Sequence, residues 1–146
     1  MGGIVMKCKE LQIGDWIQDK NGNPMQIIGV GDDYAYATFE GNEGDPWEFN
    51  DKDDKPCAIE ITDDILKQNK WEVQGYALPP SEHYFVKDDG GNHLLWSHGT
   101  LSIWLACGEA NDWAFSDVVL PCKYVHQLQQ ALRLAGLSEI ADNFKV

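Results

Sequence analysis

Arginine is almost missing from this chain: Arg133 is the only one, and lysine and arginine together number 11 against 24 aspartates and glutamates. The formal charge is −13. Binding DNA or RNA requires cations that displace counterions from phosphates. The composition therefore argues against direct nucleic-acid binding, anionic membranes and phosphorylated substrates. A close cysteine pair is missing too. Cys8, Cys57, Cys107 and Cys122 are scattered, whereas a zinc site shows at least one pair at short spacing. We read them as free, mostly buried thiols of a reducing compartment; a long-range disulfide stays open. No apolar run approaches the length that spans a bilayer. Ile4-Val5-Met6 is too short for a signal-peptide core, and Met6 stands where a myristoylation motif needs a hydroxyl. The expectation is a cytoplasmic protein without a membrane partner.

What is present fits one globular α+β domain over residues 1–146, long enough to bury a core without staples. Hydrophobic residues make up 43% of the chain, and its six tryptophans are large payloads for a core. Lys9 to Ile17 reads as a first strand bent at Gly14. Asn21-Gly22 is a hairpin signal, and Met25 to Val30 is the return strand. Tyr34, Tyr36 and Thr38 alternate with Ala35, Ala37 and Phe39, giving a third strand with β-formers on both faces. By analogy, such a meander is SH3-like. Ala58 to Ile61 is a further short strand. Thr62 caps a helix running to about Asn69, with Asp63 and Asp64 opposing the positive end of its dipole. Strand candidates follow at 71–78, 84–86, 93–96, 100–106, 113–115 and 118–120, at the spacing of a meandering antiparallel sheet.

The clearest element closes the chain. Val125, Leu128, Leu132 and Ala135 draw an apolar stripe at helical spacing. Tyr124, Ala131 and Leu134 widen it, and Gln127, Gln129, Gln130 and Arg133 take the wet side. Gly136 is suited to the position after the helix, where a positive φ is needed. Leu137 folds back on the last turn, and Ser138 caps a final short one. So short a helix must be held by docking, which places a sheet beneath it.

Tyr124-Val125-His126-Gln127-Leu128-Gln129 resembles the C-terminal signature of small proteins of gut bacteria and their phages or prophages. Leu11-Gln12-Ile13-Gly14-Asp15-Trp16-Ile17 and Ile59-Glu60-Ile61-Thr62-Asp63-Asp64-Ile65-Leu66 fit the same family in order along the chain. The resemblance implies a mobile-element origin and brings no activity, cofactor or catalytic residue with it.

Chemistry has few footholds. Ser97-His98 with Asp112 or Asp117 lacks the glycine pattern of a nucleophile elbow, and adjacent strand residues point to opposite faces. His83, His93 and His98 would have to gather across a hairpin to hold a metal, and nothing in their spacing fixes that. Asp51-Lys52-Asp53-Asp54-Lys55 lacks the spacing, central glycine and final glutamate of an EF-hand. His126 has no second ligand within a turn and reads as a histidine hydrogen-bonded within the fold. We assign no catalytic residue, no metal ligand and no cofactor.

The distinctive stretch is acidic. Asp32 to Asp64 holds 12 carboxylates and two lysines, a balance of −10. Within it, Gly41 to Pro56 reads as a long loop, and loops of that length are often functional. Trp47, Phe49, Asp51, Asp53 and Asp54 are the candidate binding residues, for a basic host protein. The two aromatics either face a partner or anchor the loop on the sheet. The leading expectation is a non-catalytic protein-binding accessory factor of phage or mobile-element origin. The alternatives are a metal-assisted hydrolase, an acidic nucleic-acid mimic and a structural virion or assembly protein.

Overall fold

A computed structural model describes residues 4–39, 41–42, 44–73, 83–87, 93–97, 99–107 and 112–146. Its strands are β1 (Trp16–Gln18), β2 (Pro24–Val30), β3 (Tyr34–Thr38), β4 (Trp47–Asn50), β5 (Glu72–Val73), β6 (His83–Lys87), β7 (His93–Ser97), β8 (Thr100–Cys107) and β9 (Asp112–Pro121). Its helices are α1 (Asp63–Gln68), α2 (Val125–Leu134) and α3 (Ser138–Asp142), with a 3-10 turn at Cys8–Glu10. The fold is α+β, with a four-stranded sheet β1-β2-β3-β4 and a five-stranded sheet β5-β6-β7-β8-β9, both antiparallel. Neither closes into a barrel; the N-terminal meander, expected to be SH3-like, is an open four-stranded sheet. The chain divides into two compact units, Met1–Glu60 with Tyr124–Val146, and Ile61–Lys123.

In the first unit, the β1–β2 hairpin turns on Asp19. Its carboxylate accepts the backbone N–H groups of Asn21 and Asn23 and the Asn23 side-chain amide, while Gly22 takes a positive φ of 86°. Burial opposes the charge on Asp19, but the bonds from Asn23, Asn21 and Gly22 prevail and lower its pKa. Met25, Ile27, Ala35, Ala37 and Phe49 face inward and pack with Met6, Cys8, Leu11, Ile17 and Ala58. Ala35 lies directly opposite Phe49, so a small residue makes room for the ring.

The expected first strand is shorter than read. Only Trp16–Gln18 pairs; the chain before it forms the 3-10 turn and then bends at Gly14, whose φ is 95°. The expected strand at 58–61 is likewise absent as a ladder. Cys57 and Glu60 make isolated bridges, to Val5 and Gln18 and to Tyr124 respectively.

α2 begins where expected, with the Gln127 side chain accepting the Tyr124 N–H at 3.2 Å. It ends as expected: Leu137 N–H reaches Leu132 O and Gly136 N–H reaches Arg133 O, with Gly136 at φ 84°. Val125, Leu128 and Leu132 are fully buried, each contributing roughly 1.5–3 kcal/mol. The wet side differs from the reading above. Gln129 is fully buried, whereas Leu134 is 89% exposed. Gln129 serves the core as a clasp: Oε1 accepts the Trp16 N–H at 2.9 Å, and Nε2 donates to Gly14 O at 2.8 Å and Ala141 O at 3.2 Å. The indole N–H of Trp16 donates to Phe144 O. Ser138 opens α3 rather than capping it; Leu137 holds the cap position, with no side-chain bond there.

In the second unit, Thr62 Oγ1 accepts the Ile65 N–H, as its cap role requires, and α1 covers the expected residues. α1 ends with the same pair of bonds as α2, Trp71 N–H to Leu66 O and Lys70 N–H to Lys67 O, but with Lys70 at φ 68° in place of a glycine. β6 pairs antiparallel with β7, and β7 with β8 up to Ser97 opposite Thr100, with Gly99 at φ 80°. β9 is one strand rather than two. A register shift between Ser102 and Trp104 absorbs the extra residues of 116–118 as a bulge. Of the strand candidate at 71–78, Glu72–Val73 forms β5, and residues 74–78 lie outside the described residues, as do 108–111. Leu94 and Leu101 are fully buried, and Trp96 Nε1 donates to Cys122 O at 2.6 Å.

Candidate functional site

The stretch read as a loop contains a strand. β4 pairs with β3 in the register Ala37–Trp47, Tyr36–Glu48, Ala35–Phe49 and Tyr34–Asn50. The register puts both candidate aromatics on the face of Ala35 and Ala37, but their burial differs. Phe49 is fully buried in the core and acts as the anchor of this segment, so it offers nothing to a partner. Trp47, at the start of the same strand, is 42% exposed, and its indole N–H donates to Asp54 Oδ2 at 2.9 Å.

After β4 the chain folds into a tight acidic turn. Asn50 Oδ1 accepts the backbone N–H of Lys52 and of Asp53, and Asn50 N–H reaches back to Asp54 O. Asp51 is fastened at both ends: its N–H donates to Asp33 O, and its Oδ1 accepts the Cys8 N–H at 2.8 Å. That bond, with the Cys8 thiol and the charges of Lys7 and Lys55, lowers the Asp51 pKa against a smaller opposing effect of desolvation. The Cys8 thiol is pushed up to about 12 by burial first and by Asp51 second, so it is no nucleophile at neutral pH. Asp53 is exposed to water. Of the five candidate residues, Asp53 is exposed on the turn, half-buried Asp54 of the same turn accepts from exposed Trp47 on β4, Asp51 ties the turn to the 3-10 segment, and Phe49 is in the core.

No protein-family model, no curated protein and no solved structure matches the chain.

The sheet also has an outer face that the sequence reading left without a role. Because Ala35 and Ala37 face the core, Tyr34 and Tyr36 face out, 41% and 38% exposed, their rings in an edge-to-face pair with centroids 5.6 Å apart. Ile28, next to core-facing Ile27 and at the register shift between Ile27 and Gly29, is turned out as well, 45% exposed. The alternation of alanine with tyrosine was the available signal: the smaller residue of each pair is the one that fits against Phe49.

The histidine and nucleophile ideas fare differently. In the β6–β7 register His83 faces Ser97 and His93 faces Lys87. The two histidines therefore sit at opposite ends of the hairpin, about 13 Å apart along the strands. His98 lies outside the described residues. Asp112 pairs with Cys107, at the far end of β8 from Thr100, which is the residue that faces Ser97. Among the described residues no group of three His, Cys, Asp or Glu side chains is placed to hold a metal ion. Cys8, Cys57 and Cys122 are free and buried. Among the described residues, no helix is long and apolar enough to cross a membrane.

His126 departs from its expected role as a hydrogen-bonded histidine. Its ring stacks on Tyr124 with centroids 6.1 Å apart, and Nδ1 has no hydrogen-bond partner among the described residues. Burial lowers its pKa, against the opposing charges of Asp15 and Glu10.

Proposed function

We propose that this protein is a non-catalytic, protein-binding accessory factor of phage or mobile-element origin, acting in the cytoplasm on a basic host protein. The observation that supports this reading is Trp47: a large aromatic left partly in water at the start of β4, its indole steadied by Asp54 of the turn that follows, on which Asp53 is exposed. Aromatic side chains in such settings supply contact area at low entropic cost, and rim carboxylates speed encounter with a cationic partner. The C-terminal resemblance supports the mobile-element origin.

Affinity capture from lysate of a bacterial host tests the reading. The wild-type chain is compared with Trp47→Ala and with Asp53→Asn/Asp54→Asn, each checked for an unchanged unfolding temperature. The expected result is a recovered basic protein whose yield drops at least about fivefold with Trp47→Ala, the loss that a contact worth about 1 kcal/mol produces. Recovery independent of both variants overturns the assignment of the site.

A further inference from the structure

We propose that the outer face of β2, β3 and β4 is a docking surface for an arginine-bearing, basic polypeptide segment. The proposal rests on the protein-binding reading above and names a different surface and a definite chemistry for the partner.

The face is built from Tyr34, Tyr36 and Ile28. Its two aromatic rings lie low over the backbone. A Cβ on Gly31 would meet the Tyr34 ring, and a Cβ on Gly29 would come 3.7 Å from the Tyr36 ring. The Tyr34 ring is thus bedded on Gly31, while the Tyr36 ring lies over Gly29 with room for ordinary contact; both rings are partly exposed, and the edge-to-face pair holds them in a fixed mutual geometry. Aromatic surface bedded in this way is prepared for contact at little further loss of side-chain freedom.

The charge around the face selects the occupant. Glu48 lies directly opposite Tyr36 across β3 and β4. Asp32 and Asp33 form the turn that leads into Tyr34, and the Asp33 carbonyl ties Asp51 to the same end of the sheet. From Asn21 to Asp51 the sequence has seven carboxylates and no lysine or arginine. A second copy of this chain would bring the same carboxylates against themselves, and a nucleic acid would bring phosphates against them; both are disfavoured by like charge. A guanidinium meets both demands. It stacks on a tyrosine face and donates in a planar fork to an adjacent carboxylate, which a lysine ammonium does only in part. The face itself carries no such group, since Arg133 is the chain's only arginine and is engaged by Asp15 and Asp142.

The probes are three fluorescein-labelled, end-blocked octapeptides, alternating Arg-Val, Lys-Val and Glu-Val, titrated with the full chain by fluorescence anisotropy at 150 mM salt. The expected result is binding of the Arg-Val peptide, weaker binding of Lys-Val and none of Glu-Val. Tyr34→Ala and Tyr36→Ala each weaken the Arg-Val complex about threefold to fivefold, while Tyr36→Phe retains its affinity. Glu48→Gln weakens it and Trp47→Ala does not. Both tyrosines are at the surface, so an unchanged unfolding temperature is expected for every variant. Equal affinity for the Arg-Val and Lys-Val peptides, with both tyrosine-to-alanine variants at wild-type affinity, reduces the binding to bulk charge and overturns the proposal. Loss of binding with Trp47→Ala but not with the tyrosine variants overturns it too, while leaving the protein-binding reading standing on the acidic turn. No binding of the Arg-Val peptide overturns the proposal; if the host capture also returns no basic protein, the reading beneath it goes as well.

Discussion

Arg133 Nη1 sits 2.5 Å from Oδ1 of Asp15, a carboxylate with no exposed side-chain surface. The other oxygen of Asp15 accepts the Gln12 N–H and the Gln130 side-chain amide, and Arg133 also donates to Gln12 Oε1 and to Asp142. The only arginine of the chain is therefore spent on holding α2 against the segment before β1. Removing one partner strands a buried charge, while the intact pair has already offset its own desolvation. Arg133→Met is expected to destabilise the fold by about 3–5 kcal/mol, and adding Asp15→Asn should cost much less than Asp15→Asn does alone. Urea unfolding of the single and double variants checks this; strictly additive losses would show that the two residues are not coupled.

Gly14 lies under that ion pair. Its φ of 95° is one that side-chain-bearing residues rarely adopt, and a Cβ there would come within 2.8 Å of Arg133 Nη2. Its carbonyl also accepts from Gln129 and Gln26. Gly14→Ala is expected to lower stability by on the order of 1–3 kcal/mol from backbone strain, with a further loss from displacing the guanidinium. In an Arg133→Met background that further loss should disappear, so the cost of Gly14→Ala shrinks. Thermal unfolding of the four chains measures it, and an equal cost in both backgrounds would rule out the steric part of the account.

How much of this was legible follows from the residues themselves. The ends of α1 and α2 were readable because Thr62 and Gly136 have one local job each, and the structure gives them those jobs. The β2–β3 strands were readable from alternation. The polar clasp of α2 was missed because residues were sorted by chemical type rather than by angle. At about 100° per residue, Gln129 lies roughly 40° from Val125 and Leu134 about 180° from it, which already puts the glutamine inside and the leucine outside. The buried Asp15, which gives Arg133 and Gln130 a reason to face inward, and Gly14 and Trp16, which bond Gln129, are more than a hundred residues away, and no local pattern shows them. β4 was hidden for a related reason: flanking Asp, Gly and Pro made 41–56 look like a loop, while Ala35 and Ala37, which invite Phe49, stand on another strand. In the candidate site, the sequence showed an acidic aromatic stretch; the register puts Trp47 and Phe49 on the same face of β4, and only their burial separates Phe49 in the core from Trp47 at the exposed start of the strand.

His126 supplies a pH dependence whose direction follows from its burial. Desolvation lowers its folded pKa below the ordinary 6.5, with Asp15 and Glu10 opposing. Below 6.5 the unfolded chain takes up a proton that the folded chain resists, so stability falls as pH drops from there through the folded value. The Nδ1 atom makes no hydrogen bond among the described residues, and the ring stacks on Tyr124. A phenylalanine therefore keeps the packing and loses little else. His126→Phe is expected to fold at pH 7.5 with a urea midpoint close to wild type, and to lose less stability than wild type between pH 7 and pH 5. Urea midpoints across that range, for both chains, give the comparison. Parallel slopes would show that His126 is protonated equally in the folded and unfolded chains, and that its burial beside Tyr124 does not disfavour the imidazolium.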